Sequence, residues 1–267
     1  MEKEPQAFVA FAREGAVSAV LSDKASMNIA LSRDPIQKIR VMSFNIRHGK
    51  GLDGKIDLKR IAAEIRKADP DLVGLQEVDR RHPRSGFCDQ PTKLAKLLGM
   101  QVAFAPSMRW GPVHYGNVLL SKFEILRHRI IRMSGLSERR CIQLAEVNMR
   151  GQLVTVLNTH LGYMEREKAK QLPILRSVLA KVKQPAILMG DFNMGANDTR
   201  LRQLGPGWLK SKLAVKHPTV QSGREIDHIF SKLPGGKSKA WVQPTDASDH
   251  HPVIADLEWL QFQLKMG

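Results

Sequence analysis

Pro185-Ala186-Ile187-Leu188-Met189-Gly190-Asp191-Phe192-Asn193 is an apolar run that breaks off into a glycine, a carboxylate, an aromatic ring and an amide. A short continuous apolar run reads as a buried strand, here over 186–190. A carboxylate at its end can orient and deprotonate a water, and an amide two residues on projects to the same side of an extended chain. An Asx turn capping the next segment fits the same residues. What decides the fold is that the pattern recurs along the chain.

Working outward, further strand-like runs lie at 39–46, 71–78, 102–105, 117–121, 125–133, 141–149, 153–160, 226–230, 240–242 and 253–257. Helices interrupt them. Asp57 can cap a helix carrying Leu58, Ile61, Ala62 and Ile65 on one face, and Asp69-Pro70 stops it. A second helix has Pro91 near its start and Gly99 at its end. A third spans 165–183, where Pro173 should split or kink it. Strands that outnumber helices, with helices between several of them, predict an α/β (α+β) fold of two packed sheets with helices outside. Residues 1–38 lack this regularity and read as a flexible or loosely docked extension, leaving 39–267 as the domain.

Composition limits the function classes. The chain has 267 residues, 42% of them hydrophobic but only 6% aromatic, so the core is expected to be mostly aliphatic. Two isolated cysteines, Cys88 and Cys141, make neither a disulfide framework nor a zinc set, and a reducing cytoplasm is the expected location. No run reaches the roughly 18 apolar residues of a membrane span, and the start, Met1-Glu2-Lys3-Glu4, is unlike a signal peptide. The formal charge of +16 attracts polyanions, although its spread along the chain equally fits a solvated surface.

Polar signatures collect at strand ends, where sites of layered folds are assembled. Glu77 closes the run from Asp71 to Gln76. A carboxylate desolvated there needs a partner, either a hard cation such as Mg²⁺ or Mn²⁺, or Arg80 or Arg81. His160 ends an alternating run and could donate to a phosphate oxygen or protonate a leaving group. Asp227, among apolar neighbours, needs a hydrogen bond. Ser248-Asp249-His250-His251-Pro252 leads directly into a strand, and Asp227 is the carboxylate placed to hold the His250 imidazole in one tautomer.

Taken in order, Asn45, Gln76-Glu77, Tyr115-Gly116-Asn117, Asn158-Thr159-His160, Gly190-Asp191-Phe192-Asn193, Ile226-Asp227 and Ser248-Asp249-His250 resemble the endonuclease/exonuclease/phosphatase superfamily, in its small bacterial-type members. The resemblance runs from about Ile39 to Trp259. It implies a four-layer sandwich, two mixed β-sheets face to face flanked by helices, and hydrolysis of phosphoesters with Mg²⁺ or Mn²⁺. It implies Asn45, Glu77 and Asp249 at the metal, Asp191 activating the water and Asn193 orienting the phosphate. It further implies His250 as the essential histidine with Asp227 as its partner, and His160 as an accessory histidine. Tyr115, Asn117 and Arg140 are the implied phosphate or substrate contacts, with Arg139 an alternative to Arg140. His228 is expected to be structural, the motif spacing favours His250 over the adjacent His251, and Arg84-Ser85 and Asp89-Gln90 are expected either to line the cleft or to shape a turn.

Three function classes follow. The first is a phosphodiesterase or endonuclease-like enzyme acting on nucleic acid. The second is a phosphatase or phospholipase-type hydrolase of lipid headgroup or sugar phosphates, for which anionic membranes suit the positive charge equally well. The third is a non-catalytic binding module, disfavoured because every carboxylate and histidine of the set is present. A monomer is expected.

Overall fold

The computed structural model of the chain describes residues 36–136 and 138–261. Among them are β1 (Ile36–Asn45), α1 (Leu58–Ala68), β2 (Leu72–Arg80), α2 (Gln90–Leu98), β3 (Gln101–Trp110), β4 (Val113–Ser121), β5 (Glu124–Met133) and β6 (Arg140–Met149). The order continues with β7 (Gln152–His160), α3 (Glu165–Lys181), β8 (Ala186–Asp191), α4 (Thr199–Arg202), β9 (Leu209–Lys210), β10 (Asp227–Lys232), β11 (Lys237–Val242) and β12 (Val253–Leu260). The expected extension falls almost wholly outside the described residues; its last members, Ile36, Gln37 and Lys38, already belong to β1 and pair with β12.

Two six-stranded sheets result, in the orders β11-β12-β1-β2-β4-β3 and β5-β6-β7-β8-β10-β9. Each is mixed: β1–β2 and β7–β8 are parallel, and the other pairs antiparallel. Three apolar layers hold the sandwich together. Ile39, Val41, Leu119, Val156, Ile187, Ile229 and Val253 meet between the sheets. Met42, Phe44, Val73 and Leu75 pack outward against Ile61 and Ile65 of α1 and Leu94 of α2. Leu157, Leu188 and Phe230 pack outward against Leu172, Leu175 and Leu179 of α3. Neighbours in one strand thus serve opposite layers, as the two-residue period of an extended chain requires. No helix among the described residues is long and apolar enough to cross a membrane.

Local signals account for the helix ends. The Asp57 carboxylate accepts from the Lys59 and Arg60 N–H groups at 2.8 and 3.3 Å, and Asp69 closes α1 in the left-handed conformation. Asp89 caps α2 through Thr92. The expected split at Pro173 does not occur, because α3 runs as one helix from Glu165 to Lys181. Pro173 sits on the exposed face, while Leu172, Leu175 and Leu179 are buried. Burying that stripe offsets the single backbone hydrogen bond the proline removes.

Towards one end of the sandwich the apolar interlayer gives way to a buried polar seam. The Gln76 amide donates across the sheets to Asn158 Oδ1 at 2.8 Å. Asn158 donates back to the Leu75 and Val118 carbonyls, both at 3.0 Å, and Gln143 donates to the Ala103 carbonyl at 2.8 Å. The close approach of β3 and β4 depends on Gly116, where a Cβ would lie 2.1 Å from the Ala105 carbonyl oxygen. Gly116→Ala is therefore expected to lower the unfolding free energy by about 1–3 kcal/mol in urea titration. Gly195→Ala, which meets open space, should stay within about 0.5 kcal/mol.

Candidate active site

The inter-sheet parity, carried to the strand ends, assembles the site. Ile39 and Val41 face the opposite sheet, so Asn45 does as well. The same step leads from Ile187 and Met189 to Asp191, from Val156 to His160, and from Ile229 back to Asp227. Register confirms the convergence, with His160 beside Asp191 and Asp191 beside Asp227 on neighbouring strands. Glu77 departs from the parity. The β2–β4 register shifts between Leu75 and Val78, and Glu77 takes φ +58. This left-handed residue costs on the order of 1 kcal/mol and turns the carboxylate onto Asn45.

Asp191 Oδ2 is the hub. It lies 3.1 Å from Asn45 Nδ2, 3.4 Å from His160 Nε2 and 3.7 Å from His250 Nε2. Its other oxygen accepts the Asn193 N–H at 2.9 Å. Burial, reinforced by the Asp227 charge, raises its pKa. Asn45 also donates to Glu77 at 3.0 Å, while its own carbonyl oxygen accepts the Arg47 N–H at 3.1 Å. It thus stands as a bridge between the two carboxylates.

His250 Nδ1 donates to Asp227 Oδ2 at 2.9 Å. Burial works against its charge, but Asp227, Asp191 and Asp249 together lift its pKa to about 10, so the ring is an imidazolium. Asp227 is itself held by the Thr219 hydroxyl at 2.7 Å, which in turn accepts the Ile226 and Asp227 N–H groups. Thr219 had no sequence signal; it is an isolated loop threonine that reaches the site through the tertiary fold.

His160 is the opposite case. Burial first, then the Arg140 charge, hold its pKa well below the usual histidine range. The Arg140 Nη1 donates to Nδ1 at 3.2 Å and pairs with Glu138 at 2.7 Å. A guanidinium has no acceptor atom, so the proton of the neutral ring sits on Nε2, facing Asp191. Arg140, rather than Arg139, is the arginine at the site. Asn193 Nδ2 lies 3.3 Å from the same ring nitrogen and donates to the Leu161 carbonyl at 2.9 Å.

Asp249 is half exposed and 3.4 Å from Arg47 Nε. Tyr115 is buried; desolvation, then the Glu77 charge, push its hydroxyl pKa well up. Asn117 is buried with its amide turned to the Cys141 carbonyl at 3.4 Å, across the interlayer. Arg84 holds Asp79 through two bonds of 2.8 and 2.7 Å and lies over the Tyr115 ring, so this turn backs the site. His228 faces away, bonded to the Met194 carbonyl at 2.8 Å, and His251 accepts the Thr245 N–H at 3.1 Å. Both are structural.

The model of the Endonuclease/Exonuclease/phosphatase family matches residues 42–250, a span that includes every strand end just described. The chain belongs to this family. Its members are divalent-metal-dependent phosphoester hydrolases. Over 198 residues the chain is 28% identical to a 5'-tyrosyl-DNA phosphodiesterase of Caenorhabditis elegans, covering 68% of this chain and 51% of that protein. A Caenorhabditis briggsae 5'-tyrosyl-DNA phosphodiesterase is 29% identical over 139 residues, covering 51% and 36%. The chain thus spans about half or less of the length of these curated relatives. The crystal structure of an endonuclease/exonuclease/phosphatase from Beutenbergia cavernae superposes with a TM-score of 0.72 at 26% identity, covering 83% of this chain and 72% of that one.

The side chains fit a divalent cation. Glu77, Asp191, Asp227 and Asp249 bring four carboxylates to the site, whereas Arg47 and Arg140 are occupied by Asp249 and Glu138. The Glu77 carboxylate has no ion-pair partner among the described residues. Burial raises its pKa, against the Asn45 hydrogen bond and the charges of His250 and Arg140. Asp191, Asp227 and His250 also offer ligand atoms within 4.8 Å of one another. In that trio, however, His250 Nδ1 is taken up by its hydrogen bond to Asp227 at 2.9 Å.

A pH dependence follows. His250 titrates at about 10 in the fold against an ordinary 6.5, so its charge adds stability that is complete below pH 6.5 and lost as pH rises through 10. In EDTA, the unfolding free energy of the wild type minus that of His250→Gln should shrink between pH 6.5 and 10. A difference that stays level or grows would show that the imidazolium is not held by the carboxylates.

Proposed function

We propose that the chain hydrolyses phosphodiester bonds in nucleic acid using Mg²⁺ or Mn²⁺. The observation that carries this reading is Asp191, a carboxylate of raised pKa ringed by Asn45, His160 and a cationic His250, next to the unpaired Glu77. Glu77 is the principal ion ligand in this reading. Asn45 fixes its orientation, and Asp249, next to His250 in the chain, is the second carboxylate available. A bound divalent cation would neutralise phosphate charge and stabilise the leaving oxygen.

The protein groups divide the remaining work. His250 is already protonated, so it serves as a donor to a non-bridging phosphate oxygen and not as the base. Asp191 accepts the proton of the attacking water as the P–O bond breaks. Neutral His160 offers its Nε2–H beside Asn193, while Arg140 holds the ring from its other nitrogen, Nδ1, at 3.2 Å. Thr219 and Asp227 keep His250 in its donor orientation. The +16 charge supports a polyanionic substrate, as does the similarity to proteins that act on tyrosyl-DNA.

Purified protein with Mg²⁺ or Mn²⁺ is expected to cleave bis-p-nitrophenyl phosphate and single-stranded DNA, with EDTA abolishing both reactions. Glu77→Ala and His250→Ala should each lower turnover by roughly 10² to 10⁴. Activity on DNA should fall steeply with salt. Undiminished turnover in EDTA, or in both variants, would exclude this mechanism. Turnover confined to phospholipid vesicles or sugar phosphates would exclude the nucleic-acid assignment.

A further inference from the structure

A cavity of about 550 Å³ opens on the α3 side of the second sheet, beside the two-residue strand β9. None of the residues of the catalytic group lines it; Phe230, Leu201 and Trp208 in its wall belong to the outer apolar layer, and Leu213 packs against the layer between the sheets. The volume is that of a site for one small organic molecule. Its interior is apolar, and Leu209 at its edge is 67% exposed.

The charges around it are one-sided. Arg202, Lys210, Lys212 and Lys216 line the cavity against a single acid, Glu225. Glu225 is 2.7 Å from Lys210 and is thereby spent. Arg202, Lys212 and Lys216 form no ion pair or side-chain hydrogen bond among the described residues. Three uncompensated cations around an apolar hollow call for a ligand with an apolar body and an anionic end.

The wall also distinguishes between apolar bodies. A nucleobase would need several donors and acceptors for its edge, and the neutral polar groups of the lining side chains are the Asn197 amide and the Trp208 indole N–H alone. Trp208 is 8% exposed and Phe230 2%, so neither ring offers a free face for stacking. An alkyl chain needs neither edge partners nor a stacking face, and gains from contact with Leu201, Leu209 and Leu213.

We propose that this cavity is a second ligand site, which takes a single amphipathic anion with its alkyl chain among the leucines and its carboxylate among Arg202, Lys212 and Lys216. Calorimetric titration of the full chain with dodecanoate below its micelle concentration should show one saturable site. Lys212→Glu combined with Lys216→Glu, and separately Leu209→Glu, should each weaken binding by about tenfold or more. All three positions are surface residues outside the catalytic machinery, so turnover of bis-p-nitrophenyl phosphate should stay at the wild-type level and report an intact fold. Dodecanol and dodecyltrimethylammonium should bind more weakly by a similar factor. The proposal is overturned by the absence of saturable binding, by unchanged affinity in the variants, or by equal binding of the neutral or cationic amphiphile. Binding seen only with anionic phospholipid vesicles would overturn it in favour of a membrane-surface contact.

Discussion

Every second residue of β1, β7, β8 and β10 faces the opposite sheet, and that single parity ties the core to the chemistry. The side chains that zip the interlayer together, Val41, Val156, Ile187, Met189 and Ile229, share their faces with Asn45, His160, Asp191 and Asp227. On those faces Asp191 comes directly after Met189 in β8 and Asp227 directly before Ile229 in β10, while Asn45 follows Ser43 in β1 and His160 follows Asn158 in β7. A slip of one residue in any of these strands would expose its core residues and remove its site residue together. Packing between the sheets, worth roughly 25 cal/mol for each Å² of apolar surface buried, therefore also enforces the register of the site.

The transition from apolar core to polar site is made by the buried amide seam. Gln76 and Asn158 bond across the two sheets at 2.8 Å, and each stands next to or near a site residue, Glu77 in one sheet and His160 in the other. Amides hydrogen-bonded across the interlayer fix a distance more sharply than leucines would, because breaking such a bond leaves a buried polar group unpaired at a cost of about 1–3 kcal/mol. Above the seam the electrostatics diverge. His250, between two carboxylates, keeps its proton to about pH 10. His160, buried beside a guanidinium, stays neutral. Two histidines near one aspartate thus offer a charged donor and a neutral donor.

Much of this was legible in the chain. Short apolar runs ending in polar residues predicted the strands, and the ordered motifs carried the family resemblance, the fold and the main site residues. What was not legible depends on distant partners. Nothing around Gln76-Glu77-Val78 announces a left-handed glutamate, because the bulge exists only against β4. Pro173 signals a break, and only the packing of Leu172, Leu175 and Leu179 shows why α3 continues through it. Asn45 matched a metal-site residue by motif, but its orientation as a bridge between Glu77 and Asp191 is a matter of three-dimensional neighbours. Thr219 is eight residues from Asp227, in a loop without pattern.

In the proposed site the cation belongs to Glu77, while Asp191, Asp227 and His250 form the proton-handling group. Electron paramagnetic resonance of Mn²⁺ titrated into Glu77→Gln and Asp227→Asn separates the two groups. Glu77→Gln is expected to lose the tightest Mn²⁺ site, whereas Asp227→Asn keeps it. Retention in Glu77→Gln with loss in Asp227→Asn would instead place the ion in the Asp191, Asp227 and His250 cluster.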